Sequence, residues 1–117
     1  MSLQSVGTIG EEYARNYLTS HGFIIREQNF RTNLGELDII AQKKNTIYFC
    51  EVKTRRGDAH GKPYEAVTYR KLHHIQRVAQ VYLLQNTLKN CKLSVQVISV
   101  ELFPDNTVKK LKMYEVI

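Results

Sequence analysis

The sequence lacks any apolar run long enough to cross a membrane, although 43% of its 117 residues are hydrophobic. A membrane-spanning helix needs about 20 consecutive apolar residues, so we expect no such segment and no membrane partner. The first residues also lack the short apolar stretch and cleavage site that are typical of a signal peptide. These absences predict a cytoplasmic protein.

Cysteine is scarce as well. The chain contains only Cys50 and Cys91, and their separation does not match the ligand spacing of a zinc site. Two buried thiols in a reducing compartment are the simplest interpretation. We also find no internal repeats, low-complexity tracts or linker, so residues 1–117 are expected to form a single domain with a core of its own.

Acidic residues are outnumbered by basic ones. There are 17 Lys and Arg against 11 Asp and Glu, which gives a formal net charge of +6. An excess of this size suits a polyanionic partner such as nucleic acid. An acidic membrane surface is the competing partner.

Two apolar runs of strand length stand close together in the first half of the chain. They cover residues 35–41 and 47–53, and the polar segment between them is short enough for a hairpin loop. The register follows if Lys44 and Asn45 form the turn. We therefore predict an antiparallel hairpin around which the rest of the chain is organised.

This register places Asp38 directly across from Glu51, with their Cβ atoms about 5 Å apart. Strand alternation then puts Lys53 on the same face as Glu51. Opposed like charges destabilise a sheet, so the two carboxylates need a cation between them, either the lysine or a divalent metal. The alternative is a solvated strand end that carries a surface pair between Glu36 and Lys53.

Residues 3–21 have the apolar spacing of a helix that ends before Gly22. Glu12 falls on the outward face of this helix and is expected to be solvated. Glu11 falls on the inward face, where it is either a favourable charge near the helix start or a third acidic group directed at the hairpin.

The remaining elements follow from apolar periodicity and turn residues. Residues 23–27 predict a first strand, and Pro63 is well placed to open a second helix over residues 64–85. Residues 95–102 and 107–116 predict the last two strands. The order α-β-β-β-α-β-β predicts an α/β domain with one mixed five-stranded sheet and flanking helices.

Four basic residues lie near the predicted hairpin. Arg31 is in a polar connection before it, and Arg55 and Arg56 open a basic loop after it, where a phosphate backbone could pass. Lys71 falls inside the apolar stripe of the second helix, so its amine must either snorkel to solvent or reach a carboxylate. Solvated surface charge is the alternative for each arginine.

Asp38 followed by Glu51-Val52-Lys53 resembles the PD-(D/E)xK nuclease motif. Together with the Gly-x-x-Gly-Glu pattern of residues 7–11, these residues also resemble the YraN-type family of small bacterial proteins. That family is similar to archaeal Holliday junction resolvases. The resemblance covers nearly the whole chain and implies a restriction-endonuclease-like core.

The resemblance implies hydrolysis of phosphodiester bonds in nucleic acid, in DNA rather than RNA and including branched DNA, with Mg²⁺ or Mn²⁺ as cofactor. The catalytic residues that it implies are Asp38, Glu51, Lys53 and Glu11. The metal ligands are Asp38, Glu51 and the main-chain carbonyl of Val52. From their positions near the hairpin, and for Arg31 and Lys71 also from the resemblance, we expect the nucleic-acid contacts to be Arg31, Arg55, Arg56 and Lys71.

Two questions stay open at this point. A nuclease fold that has lost its activity would be a non-catalytic nucleic-acid-binding module, although such a loss usually removes a carboxylate or the lysine, and this chain retains both. Resolvases act as dimers, so a homodimer is an alternative to a monomer.

Overall fold

The computed structural model describes residues 5–57 and 68–116 as five strands and two helices. In chain order the elements are α1 (Val6–Ser20), β1 (Ile24–Thr32), β2 (Gly35–Lys43), β3 (Thr46–Arg56), α2 (Tyr69–Gln85), β4 (Lys92–Leu102) and β5 (Val108–Glu115). This is the predicted order of helices and strands. The predicted α/β fold class is therefore confirmed.

All five strands form one sheet in the order β1-β2-β3-β4-β5. The β1–β2, β2–β3 and β4–β5 pairs are antiparallel, whereas β3 and β4 are parallel. Parallel neighbours require a crossover connection, and α2 lies within it. Because of this arrangement β3 and β4 end at the same edge of the sheet, beside the start of α2.

The two helices pack against opposite faces of the sheet, and each buries its own apolar cluster. The α1 cluster is centred on Ala14, Leu18, Ile39, Cys50, Ile98 and Val100. The α2 cluster is centred on Leu37, Ile40, Phe49, Ile75, Val78 and Tyr82. Side chains of the central strands are therefore covered on both sides, which explains their nearly continuous apolar sequence.

Capping determines where both helices begin. The side chain of Ser5 accepts a hydrogen bond from the amide of Thr8, and Thr68 accepts one from the amide of Lys71. Such bonds satisfy amides that have no partner within the helix. Consequently α2 begins at Tyr69, later than predicted. Pro63, the expected helix opener, lies outside the described residues.

Two predicted loops are in fact strand. Residues 29–35 were expected to form a polar connection. This prediction was wrong for the part up to Thr32, which belongs to β1 and pairs with β2 from Ile24↔Gln42 to Thr32↔Gly35. Arg55 and Arg56 were expected to open a basic loop. This prediction was wrong, because β3 continues to Arg56 and pairs with β4 as far as Arg56↔Leu102. In both cases a neighbouring strand supplies hydrogen bonds to a polar segment whose own sequence does not favour a strand.

Candidate active site

The predicted hairpin register is confirmed, and the carboxylates lie where it ends. The β2–β3 ladder runs from Lys43↔Thr46 to Ile39↔Cys50. From there β2 continues beside β1, and β3 continues beside β4. The two strands therefore separate one residue before Asp38 and Glu51, and this separation opens the sheet at the acidic cluster.

Asp38 bridges the opening with its side chain. Its Oδ2 atom accepts a hydrogen bond of 2.8 Å from the backbone amide of Val52. Burial raises the pKa of Asp38, and the nearby charge of Glu51 raises it further, while the bond from Val52 opposes the rise. Asp38 thus occupies a partly desolvated position that favours a cation nearby.

Glu11 reaches the same carboxylate from α1. Burial, the charge of Asp38 and a hydrogen bond to Asp38 raise the pKa of Glu11 from 4.5 to about 7. The same bond opposes the rise in the pKa of Asp38, so the two carboxyl groups lie in direct contact. The prediction that Glu11 faces inward is confirmed, and Glu12 is exposed as expected.

A glycine allows α1 to come this close. A Cβ atom on Gly10 would lie 2.6 Å from both Cβ and Cγ2 of Thr54, and its overlap with Oγ1 would be closer still. Thr54 Oγ1 is buried and has no hydrogen-bond partner among residues 5–57 and 68–116. Sequence reasoning missed this contact, although a glycine inside a helix, next to a candidate carboxylate, was a usable signal.

Two lysines hold the second carboxylate. Lys53 Nζ lies 3.2 Å and Lys71 Nζ lies 2.9 Å from the same oxygen, Oε1 of Glu51. Lys71 therefore reaches a carboxylate rather than snorkelling to solvent. Both alternatives came from its place in the apolar stripe, and only the packing of α2 on the sheet decides between them.

The two amines differ in their proton affinity. Burial and the contact with Lys71 lower the pKa of Lys53, against the opposing effect of Glu51. Burial also disfavours the charge of Lys71, but its contacts with Lys53 and Glu51 outweigh that effect and raise its pKa. Lys53 is therefore the more readily deprotonated of the pair.

The three arginines that were predicted to contact nucleic acid lie apart from one another. Arg31 pairs with Glu36 at 3.4 Å, and both side chains are largely exposed, so Glu36 does not use Lys53 as its partner. Alternation along β3 places Arg55 on the face of Glu51 and Arg56 on the opposite face. Arg56 donates a hydrogen bond of 3.0 Å to Asn106. The two arginines thus do not form one patch.

The donor chemistry of the cluster suits a hard divalent cation, since Asp38, Glu11 and Glu51 offer carboxylate oxygens. Burial raises the pKa values of Asp38 and Glu11, and the negative charge of nearby carboxylates raises them further. Within residues 5–57 and 68–116, however, no three acidic, histidine or cysteine side chains are gathered as metal ligands. Glu51 is turned towards its lysines instead.

The sequence of this chain matches the profile of the Uncharacterised protein family UPF0102 over residues 10–100. The chain belongs to this family. A UPF0102 protein of Clostridium botulinum (strain Loch Maree / Type A3) is 47% identical over 87 residues, which cover 74% of this chain and 71% of the relative. One from Caldicellulosiruptor saccharolyticus is 41% identical over 113 residues, which cover 97% and 96%.

Membership in UPF0102 confirms the resemblance to YraN-type proteins. The matched region contains all the residues of the acidic cluster and both lysines. The family is described as uncharacterised, so membership itself assigns no reaction. Among the described residues of this UPF0102 member, neither helix is long and apolar enough to cross a membrane.

Proposed function

We propose that this protein is a metal-dependent nuclease that hydrolyses phosphodiester bonds in nucleic acid, most simply in DNA. The observation that carries the proposal is the convergence of Glu11, Asp38, Glu51 and Lys53 where β2 and β3 separate. Three carboxyl groups and an amine from three different elements meet at a sheet opening. A purely structural role would not require this concentration of charge.

The proposed metal is Mg²⁺ or Mn²⁺, held by Asp38, Glu51 and the carbonyl of Val52, with Glu11 close by. When bound, such an ion lowers the pKa of a water molecule and stabilises charge on a phosphate. Asp38 is positioned for this role by the amide of Val52. Glu51 would exchange its contacts with Lys53 and Lys71 for the ion.

Lys53 and Lys71 would then be available to contact a phosphate group. Lys53 has a lowered pKa and lies beside Glu51, so its amine can orient the attacking water or donate to the developing charge. Lys71 keeps its proton more firmly and is suited to hold a non-bridging phosphate oxygen. Arg31, which pairs with Glu36 on the edge strand β1, and Arg55, on the same face of β3 as Glu51, would contact neighbouring phosphates.

A second function follows from the way Glu51 is held. Two lysines already neutralise it, and the described residues gather no three-ligand group. These facts favour a non-catalytic module that binds nucleic acid with the same basic residues. A cytoplasmic location and a homodimer stay predictions under either function.

The experiment compares Mn²⁺ binding by calorimetry and cleavage of labelled DNA in wild type, Asp38→Asn and Glu51→Gln. Glu12→Gln is the matched control because it removes an exposed carboxylate from the outward face of α1. Both site variants should lose metal binding and cleavage while the control keeps them. Undiminished Mn²⁺ binding in both site variants would discard the metal site. Nucleic-acid binding without cleavage in wild type would establish the binding module.

A further inference from the structure

Helix α2 carries a basic surface that the proposed catalytic cluster does not use. Arg70, His73, His74 and Arg77 are exposed on it at spacings of three, four and seven residues, so they share one face of the helix. Residues 66–100 contain no aspartate or glutamate. This surface therefore has no acidic neighbours from its own helix or from residues 92–100 of β4, and it is complementary to a polyanion.

A cleft opens beside this surface, between α2 and the sheet. Its volume is about 530 Å³, within the range of small-molecule sites. Phe49, Leu93 and Val95 form its apolar floor, while His73 and Arg77 lie at its polar rim. Leu93 is 51% exposed, so a ligand in the cleft could cover more of its side chain. The cleft thus offers an apolar surface bordered by positive charge.

The surface starts at the candidate active site. Lys71, which contacts Glu51, lies in the same first turn of α2 as Arg70. From there Arg77 is two turns away, about 10 Å along the helix axis. His73 and Arg77 belong both to the basic face and to the rim of the cleft. A chain that leaves the site along α2 would meet cations first and then the cleft.

We propose that this face of α2 binds single-stranded nucleic acid, with phosphates on Arg70 and Arg77 and an unpaired base in the cleft. The inference rests on the proposed function and specifies its substrate class. A base can leave the stack and enter an apolar cleft only where it is not paired. Basic grooves with apolar or aromatic contacts for bases are the usual means of holding single strands. The preferred substrate therefore has unpaired nucleotides next to the cleaved bond.

The test of the phosphate contacts measures binding of a labelled 12-nucleotide single strand by fluorescence anisotropy in EDTA, at several salt concentrations. Each contact with a single strand contributes about 0.7 to the slope of log affinity against log salt, so Arg70→Gln/Arg77→Gln should reduce the slope by about 1.4. Lys43→Gln/Lys44→Gln removes the same charge at the β2–β3 turn, where Lys43 lies over Phe23 of the α1 cluster on the opposite face of the sheet, and should leave the slope nearly unchanged. Equal slopes for wild type and the arginine variant would overturn the proposal.

The test of the cleft compares the single strand with a 12-base-pair duplex. Leu93→Ala should weaken single-strand binding about five-fold, roughly the effect of losing half of a buried leucine contact, and should leave duplex binding unchanged. Leu84→Ala is the control, because Leu84 is 82% exposed on α2 and does not line the cleft. Equal losses for both nucleic acids, or no loss, would overturn the cleft assignment, and circular dichroism melting would verify folding.

Hydrolysis of bis(4-nitrophenyl) phosphate with Mn²⁺ separates this proposal from the proposed function. The small ester does not extend to the basic face of α2 or to the cleft, so Arg70→Gln/Arg77→Gln and Leu93→Ala should hydrolyse it like wild type. If the variants hydrolyse the ester and bind the oligonucleotide like wild type, the proposed binding surface on α2 is refuted and the proposed nuclease activity stands. If the variants lose oligonucleotide binding as predicted but wild type hydrolyses no ester, the binding surface on α2 is supported together with the non-catalytic alternative.

Discussion

Gly10→Ala tests whether the close approach of α1 to the sheet positions the carboxyl group of Glu11. The added Cβ would lie 2.6 Å from Cβ and Cγ2 of Thr54, whereas carbon atoms normally approach to about 3.6 Å. Since a strand in the middle of the sheet cannot yield, α1 must retreat by about 1 Å. Glu11 follows Gly10 directly, so its contact with Asp38 should be lost.

The size of the effect follows from two opposing contributions. Overpacking typically destabilises a protein by about 1–3 kcal/mol, and this overlap is at the upper end because it involves a Cβ atom. Replacing a glycine inside a helix by alanine returns about 1 kcal/mol. The net loss is about 2 kcal/mol, which corresponds to a fall of about 8 °C in Tm for a domain of this size.

The assay is thermal unfolding at neutral pH, followed by cleavage at a temperature where every variant is folded. Gly7→Ala is the matched control, because the nearest atom to its added Cβ is Ser5 Oγ at 3.9 Å. It should not lower Tm. Thr54→Ala removes two of the three clashing atoms and should recover part of the loss when combined with Gly10→Ala. A Gly10→Ala protein as stable and active as wild type would refute this reasoning.

Two further predictions concern the ionisable groups of the site. Lys53→Ala should reduce single-turnover cleavage by about 10²–10³-fold and leave nucleic-acid affinity nearly intact, whereas unchanged cleavage with a larger Mn²⁺-dependent gain in Tm would limit Lys53 to charge balance. Because the pKa of Glu11 is raised to about 7, its contribution to metal-free stability is complete below pH 4.5 and is lost as the pH rises through 7. Glu11→Gln should abolish this part of the pH dependence of Tm, and parallel curves for the two proteins would contradict the assignment.

The sequence alone was sufficient to predict the fold class and most of the acidic cluster. Two apolar runs and a polar turn at Lys44 and Asn45 determined the register that brings Asp38 near Glu51. Helical periodicity directed Glu11 inward and Glu12 outward. These features are local, because they depend on side-chain direction within a single helix or hairpin, and local direction follows from backbone geometry.

Other features were decided only by contacts between elements distant in sequence. Polar residues up to Thr32 and Arg56 became strand because neighbouring strands satisfied their backbone groups. The local sequence does not show which neighbouring strand will supply these backbone hydrogen bonds.

The tertiary structure also chose the partner of Lys71, since periodicity placed it on the inner arc of α2 but could not say which carboxylate lay opposite. The tight contact of Gly10 with Thr54 and the cleft above Leu93 likewise depend on where each helix rests on the sheet. The position of a helix on a sheet results from the packing of many side chains at once, and no single stretch of sequence contains that information.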